Sequence, residues 1–251
     1  MESAHSCRIG LRTGAHSPDA GPDLESLRMD QARIAALLAD FVGTLDRSKT
    51  PASILLSNIS MYVDMLLRWN RRINLTAIRD PEEIVTRHFG ESLFTARHLF
   101  PHHEVAQAAT VADVGSGAGF PGIPIKLWAP DISLTLIESH QKKATFLREV
   151  ARALTLTNIN IQDVRAESIS HAAFDVVTLR AVERFDAVLP AAAALLKPQG
   201  RLALLIGTAQ LRRAHSILPD HQFLAPIPIP LSEARILLLS KTPDLRGEPQ
   251  L

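Results

Sequence analysis

Apolar residues recur at helical spacing from Gln31 onward, at Ile34, Leu37, Leu38, Phe41 and Val42, and the run stops at Gly43. The spacing predicts a helix. A second is expected from Pro51, with Ile54, Leu55, Ile59, Tyr62, Leu66 and Trp69 on its inner side. A third should follow Pro81, carrying Ile84, His88 or Phe89, Leu93 and Leu99. Beyond residue 110 the period changes. Short β-forming runs at Val111–Val114, Ser133–Glu138, Asn158–Gln162, Phe174–Leu179 and Gly200–Ile206 alternate with helical stretches from Lys142 to Leu154 and from about Asp186 to Leu196. Such alternation implies an α/β fold, a largely parallel sheet covered on both faces, behind a helical cap over residues 30–100. The runs Phe223–Pro230 and Arg235–Ser240 have only a short polar break between them and read as a closing antiparallel hairpin. Three prolines confine the first of them to an edge.

The ends of the chain lack any period. Residues 1–29 mix Ser, Gly, Pro, His and scattered charge and are expected to be a disordered tail, with Met29 a candidate start; residues 242–251 form a second tail. That leaves residues 30–241 as a single domain, with its sheet-bearing core over 110–241. A length of 251 residues at 46% hydrophobic content suits one substantial core. The net charge of +1 excludes a polybasic coat, so any RNA contact must come from local patches. The single cysteine, Cys7, excludes a disulfide framework and a Cys-built zinc site and fits a reducing compartment. The histidines are scattered without ligand spacing, so no metal is expected. The apolar runs Leu202–Ile206 and Ile236–Leu239 are too short to span a bilayer, and the first 29 residues hold no continuous apolar core of a signal peptide. A cytoplasmic, monomeric protein with no membrane partner is the expectation.

Candidate chemistry centres on Val111-Ala-Asp-Val-Gly-Ser-Gly-Ala-Gly-Phe-Pro-Gly122, where a strand breaks into four glycines within eight residues. Gly115, Gly117 and Gly119 let the backbone turn tightly against a ligand, and the helix opened by Pro121 aims its amides at whatever the loop holds. Two nucleotide-type ligands compete for it. Gly117-x-Gly119-x-x-Gly122, with Glu138 lying 21 residues after Gly117, satisfies a dinucleotide fingerprint and points to a nicotinamide-dependent oxidoreductase. Asp113 two residues before the first glycine, with Pro121 and Pro124 in the loop and helix, instead resembles motif I of class I methyltransferases, which wraps S-adenosyl-L-methionine. Arg180 ends an apolar strand at the predicted crevice, where it faces the ligand unless it pairs with Glu183 or Asp175. Arg68, Arg71, Arg72 and Arg79 place four positive charges in twelve residues, either a phosphate-binding patch or a solvated helix face.

Two further stretches carry a more specific resemblance. Trp69-Asn-Arg-Arg-Ile-Asn-Leu-Thr-Ala-Ile-Arg-Asp-Pro-Glu-Glu-Ile-Val-Thr-Arg-His88, followed by Glu91-Ser92-Leu93, resembles the N-terminal signature of the RsmG (GidB) family. Asp113 through Pro124, Glu138-Ser139, Lys142-Lys143, Phe146-Leu147, Arg165-Ala-Glu167 and Arg180-Ala181 are similar to the methyl-donor site of the same family. The resemblance spans roughly residues 30–241. It implies a class I, Rossmann-like methyltransferase that moves a methyl group from S-adenosyl-L-methionine to N7 of one guanine in 16S ribosomal RNA, on the free RNA or the small subunit. Gly115, Gly117 and Phe120 would then line the donor site, Glu138 would take the ribose hydroxyls, and Ala166 and Glu167 would flank the adenine. Arg180 would contact the donor or the target nucleotide as the catalytic residue. Arg71, Arg72, Arg87, His88, Lys142 and Arg235 would meet RNA.

The residue chemistry is compatible with that reaction. Guanine N7 offers an in-plane lone pair and no proton, so alignment rather than a general base would supply the rate. No cysteine lies in the core to attack a pyrimidine ring, and Leu179-Arg180-Ala181 stands where an Asn/Asp-Pro-Pro-aromatic sequence would hold an exocyclic amine. The chain also departs from the family's pattern. Glu91 and Glu138 stand where aspartates are usual, Leu179 where a serine is common, and Ile206 where the fifth strand tends to end in Lys-Gly. Loss of that lysine keeps a third alternative open, a non-catalytic RNA-binding or ribosome-assembly factor of the same fold.

Overall fold

In the computed structural model, which describes residues 29–43, 50–101, 108–169, 173–182 and 184–242, the first helical period becomes α1 (Gln31–Val42). Asp30 caps it by accepting a hydrogen bond from the Arg33 amide, and Gly43 stops it at a φ of 65°. Its stripe of Ile34, Leu38, Phe41 and Val42 is buried. Helix α2 (Ala52–Asn70) follows Pro51 and buries Leu55, Ile59, Tyr62 and Leu66. Ile54 departs from expectation, being 52% exposed. It precedes Leu55 by one residue, about 100° of helix rotation, and so falls off the inner stripe.

The third helical stretch is composite: α3 (Pro81–Ile84), a π-helical turn at Val85–Gly90, and α4 (Glu91–Leu99). Asp80 caps its start by accepting from the Glu83 amide. The wider π turn settles the choice between His88 and Phe89, because both are buried. Gly90 is required there, since a Cβ would stand 2.7 Å from the Phe41 ring.

The sheet contains β1 (Thr110–Val114), β2 (Ser133–Ile137), β3 (Ile159–Gln162), β4 (Phe174–Arg180), β5 (Leu196–Gly207), β6 (Gln222–Phe223), β7 (Ile227–Pro228) and β8 (Arg235–Lys241). Its order is β3-β2-β1-β4-β5-β8-β6, with β7 also on β8. The first five strands are parallel and β8 runs antiparallel to β5. The expected hairpin forms with a broken first arm: Pro226, Pro228 and Pro230 withdraw donors, so only the two-residue strands β6 and β7 pair with β8. Helices α5 (Gly122–Trp128), α6 (Gln141–Ala153), α7 (Phe185–Ala194) and α8 (Leu211–Ile217) complete the alternation. Helix α8 was not anticipated, and β5 starts at Leu196, which shortens the helix before it.

Neighbouring residues of each strand face opposite layers. Val111 and Val176 share one core cluster with Ile34, Leu38, Tyr62 and Leu66 of the cap and with Ile123 and Leu147 of α5 and α6. Ala112 and Val177 belong to the other, with Leu189 and Ala214 of α7 and α8. The cap is thus packed into the same apolar layer as one face of the sheet. Strand order reverses between β1 and β4, which puts a switch point, and the crevice that accompanies it, at the carboxyl ends of those strands. Among the described residues no helix is long and apolar enough to cross a membrane. The expected tails, apart from Met29 at one end and Thr242 at the other, and Cys7 and Glu183 lie outside the described residues.

Candidate active site at the sheet switch point

Asp113 is wholly buried at the end of β1, where its Oδ1 accepts from the Thr178 hydroxyl at 2.8 Å and its Oδ2 from the Gly122 amide at 3.1 Å. It thereby fastens β1 to β4 and to the start of α5. Burial pushes its carboxyl up to about 6, against those hydrogen bonds and the nearby Arg180 charge, which pull it down. The loop between carries Gly115, Gly117 and Gly119 at φ of 68°, 57° and 88°. Gly122 must also lack a side chain, because a Cβ would stand 2.9 Å from that of Asp113.

Tyr62 of α2 clamps this loop from the cap. Its hydroxyl donates to the Ala118 carbonyl, and its ring stacks on Phe120 at 5.3 Å between centroids and 9° between planes. The His88 ring also stacks on Phe120, at 4.8 Å and 24°. Phe120 is therefore a packing residue and a wall of the cavity at once.

That cavity, about 540 Å³, has the size of a small-molecule site. It brings together all seven residues expected to hold a cofactor: Gly115, Gly117, Phe120, Glu138, Ala166, Glu167 and Arg180. Glu138, 7% exposed, accepts from the Gly117 amide at Oε2 and from the His140 amide at Oε1, both at 2.8 Å. A carboxylate has about four acceptor positions, so each oxygen keeps capacity for a ligand hydroxyl. Ala166 is buried at the start of a 3₁₀ turn, whereas the Glu167 carboxylate lies exposed, 3.9 Å from Arg184.

The opposite wall carries charge. Arg180, with 12% of its side chain exposed, donates from Nη2 to the Arg87 carbonyl at 2.7 Å and to Glu91 Oε2 at 3.0 Å. Its partner is thus Glu91 of α4, not Asp175, which pairs with Lys197 at 3.1 Å. The same guanidinium donates from Nη1 to His88 Nδ1 at 3.1 Å. Burial, then the charges of Arg180, Arg87 and Arg235, push the His88 pKa down to about 3, and the ring is neutral.

Residues 55–222 match the GidB family model, described as rRNA small subunit methyltransferase G. The chain belongs to that family. It is 37% identical over 210 residues to the ribosomal RNA small subunit methyltransferase G of Xylella fastidiosa (strain M23), covering 82% of this chain and 85% of that one. The protein of the same name from Xanthomonas euvesicatoria pv. vesicatoria (strain 85-10) is 34% identical over 221 residues, covering 86% and 96%. Among solved structures, a SAM-dependent O-methyltransferase from Thermotoga maritima superposes with a TM-score of 0.52 at 17% identity, covering 72% of this chain and 71% of that one. A SAM-dependent methyltransferase from Aquifex aeolicus gives 0.51 at 16%, covering 65% and 94%. The fold is that of the class I methyltransferases.

The residues expected to meet RNA fall into two groups. Arg71 and Arg72 are exposed just past the end of α2, and Lys142 is exposed at the start of α6 while its neighbour Lys143 lines the cavity. Arg87 and Arg235 instead converge with Arg180 on Glu91, at 3.3 and 2.5 Å, and His88 is only 8% exposed beside them. Glu91 is the residue that sequence reasoning missed as a hub. It is 2% exposed, and three arginines meet one carboxylate there. Its only local signal was the four-residue spacing from Arg87. Ile206, where the family tends to carry lysine, is buried with Leu204 and Ile236 on the α7 and α8 face.

Proposed function

We propose that this chain transfers the methyl group of S-adenosyl-L-methionine to N7 of one guanine in 16S ribosomal RNA. The observation that carries the reading is the paired geometry of Glu138 and the glycine loop, an acid held by two amides at the switch point of a methyltransferase fold. The donor set fits the cofactor. Glu138 would accept from the ribose hydroxyls, Gly115, Gly117 and Phe120 would line the donor, and Ala166 and Glu167 would border its adenine. When bound, S-adenosyl-L-methionine supplies an electrophilic methyl on a sulfonium sulfur. The nicotinamide alternative falls with the family membership.

The chain's own residues orient rather than move protons. Both His88 nitrogens are engaged, one with Arg180 and one with Thr76, so His88 is not a free base. N7 needs none. Arg180 is the catalytic candidate, held at the mouth by Glu91 and carrying positive charge where an RNA phosphate or base acceptor would enter. Arg71, Arg72 and Lys142 extend that charge outward over the exposed surface. A ribosomal RNA substrate supports action in the cytoplasm.

The test is incubation with radiolabelled S-adenosyl-L-methionine and small subunits, or free 16S RNA, lacking the modification. One labelled guanine, cleavable as 7-methylguanine, is expected. S-adenosylhomocysteine binding without label would reject the acceptor and favour a binding factor.

A further inference from the structure

We infer that the Thr76 hydroxyl is a fixed hydrogen-bond donor that reads O6 of the target guanine and so selects guanine over adenine. The inference rests on the proposed N7 reaction and deepens it.

A guanidinium donates and never accepts, so His88 Nδ1, 3.1 Å from Arg180 Nη1, must be the unprotonated nitrogen. The proton of the neutral ring is then on Nε2, which lies 2.8 Å from Thr76 Oγ1 and donates to it. Thr76 Oγ1 also accepts the Ile78 amide at 3.1 Å. Both lone pairs of the hydroxyl are thus occupied, and its own proton has no acceptor in the hydrogen bonds of the described residues. Thr76 lines the cavity, on the wall shared with His88 and Arg180.

Nothing in this relay can reverse. A threonine hydroxyl ordinarily donates or accepts as its surroundings ask. Here reversal would require Arg180 to accept a hydrogen bond. The backbone is held as well: the Asn70 side chain accepts from the amides of Leu75 and Thr76, at 2.8 and 3.1 Å, and donates to the Thr76 carbonyl at 2.8 Å. The cavity therefore presents a donor at a fixed place.

The edge of guanine that carries N7 also carries O6, and both are acceptors; adenine pairs N7 with an N6 amino donor. A fixed O–H beside the reacting N7 hydrogen-bonds guanine and confronts adenine with donor against donor, which leaves buried groups unpaired. A carboxylate of the methyl donor would also accept from Thr76, and the experiment separates the two.

Thr76→Val, close in shape and without the hydroxyl, is assayed with labelled S-adenosyl-L-methionine on unmodified small subunits bearing guanine or adenine at the target position. The expected result is a fall of about tenfold or more in kcat/KM for guanine, with the guanine-to-adenine preference falling in parallel. Thr76→Ser restores both, and S-adenosylhomocysteine affinity by calorimetry stays within about twofold. An unchanged base preference, or a loss of S-adenosylhomocysteine affinity that accounts for the whole effect, overturns the assignment. Two measurements on the unaltered protein do not depend on the variant folding. Nitrogen-15 NMR should find His88 as the Nε2–H tautomer; the Nδ1–H form breaks the relay. RNA with 2-aminopurine, which lacks O6, at the target should react about tenfold or more slowly than RNA with inosine, which keeps it; equal rates overturn the reading of O6. If the unaltered protein labels no guanine N7 at all, the reaction itself was misassigned; if it does and Thr76→Val behaves like it, only the role of Thr76 falls.

Discussion

Glu138 and Glu91 are both buried acids beside one cavity, yet they are held in different ways. Glu138 accepts from two backbone amides, Gly117 and His140, that belong to the loops framing it. Glu91 is held by side chains from three places: Arg87 in its own helical stretch, Arg180 at the end of β4 and Arg235 at the start of β8. The wall proposed to hold the methyl donor, the donor wall, is therefore set mainly by loop geometry within the sheet. The wall proposed to meet the methyl acceptor, the acceptor wall, is made by side chains of cap and sheet together.

The largest effect should come from breaking the donor wall alone. Gly115 stands at a φ of 68°, and a Cβ there would lie 3.1 Å from Val182 Cγ1. Gly115→Asp adds backbone strain of about 1 kcal/mol, a steric block and a second negative charge near Glu138. S-adenosylhomocysteine affinity should fall at least about a thousandfold, roughly 4 kcal/mol, in calorimetry. The circular dichroism should stay native, since a Cβ at Gly115 meets the Val182 side chain and not the cap residue Tyr62 that holds the loop at Ala118 and Phe120. Retained affinity would remove the loop from the donor site.

Breaking the acceptor wall should act on stability first. Glu91→Gln leaves three guanidiniums around a neutral amide, and removal of one partner of a buried ionic cluster costs about 3 kcal/mol. Arg87, 41% exposed, can relax into water, but Arg180 and Arg235 at 12% and 22% have less room. Chemical denaturation should show the loss as a lower midpoint with an unchanged slope. An unaltered midpoint would mean that the Glu91 cluster adds nothing net to the docking of cap on sheet.

The difference between the walls also explains what the sequence makes legible. The donor wall is local: the glycine loop, Asp113, Glu138 and Ala166 lie on strand ends in a regular alternation, so period and motif place them together. The acceptor wall is assembled from residues far apart in sequence, with Arg180 lying 89 residues from Glu91. A buried glutamate on a helix looks, in sequence, like any solvated acid. The π turn that sinks both His88 and Phe89 has no distinct apolar period, and Ile54 misled because a neighbour of the buried stripe is as apolar as its members. Arg180 lines the cavity at the end of its strand, and its partner Glu91 lies beyond the reach of spacing.

Titration separates the walls again, with opposite signs. Asp113, on the donor side, is raised from 3.8 to about 6 by burial, so the stability associated with its protonated form is present below the unfolded value and is lost as pH rises through the folded one. His88, on the acceptor side, is lowered from 6.5 to about 3, so its contribution is present above the unfolded value and is lost as pH falls. Between about pH 4 and 6 the two slopes oppose, each of order 1 kcal/mol per pH unit. Asp113→Asn should steepen the loss of stability on acidification, and His88→Gln should reduce or reverse it. Parallel stability-against-pH curves for both variants and the unaltered protein would show that neither group titrates across this window.

The smallest effect should lie outside both walls. Arg71 and Arg72 are exposed past the end of α2, clear of the Glu91 cluster, whereas Arg68 of the same patch is already paired with Asp64. Changing both to Ala removes two charges that no buried acid compensates, so stability should move by less than about 0.5 kcal/mol. S-adenosylhomocysteine affinity should not move, because neither residue lines the cavity. RNA affinity should fall, and the slope of its logarithm against that of salt concentration should flatten by about 1 to 2, as expected when two phosphate contacts are lost. An unchanged slope would make the pair a solvated helix end and leave the charge that meets RNA to Lys142 and the arginines at the cavity mouth.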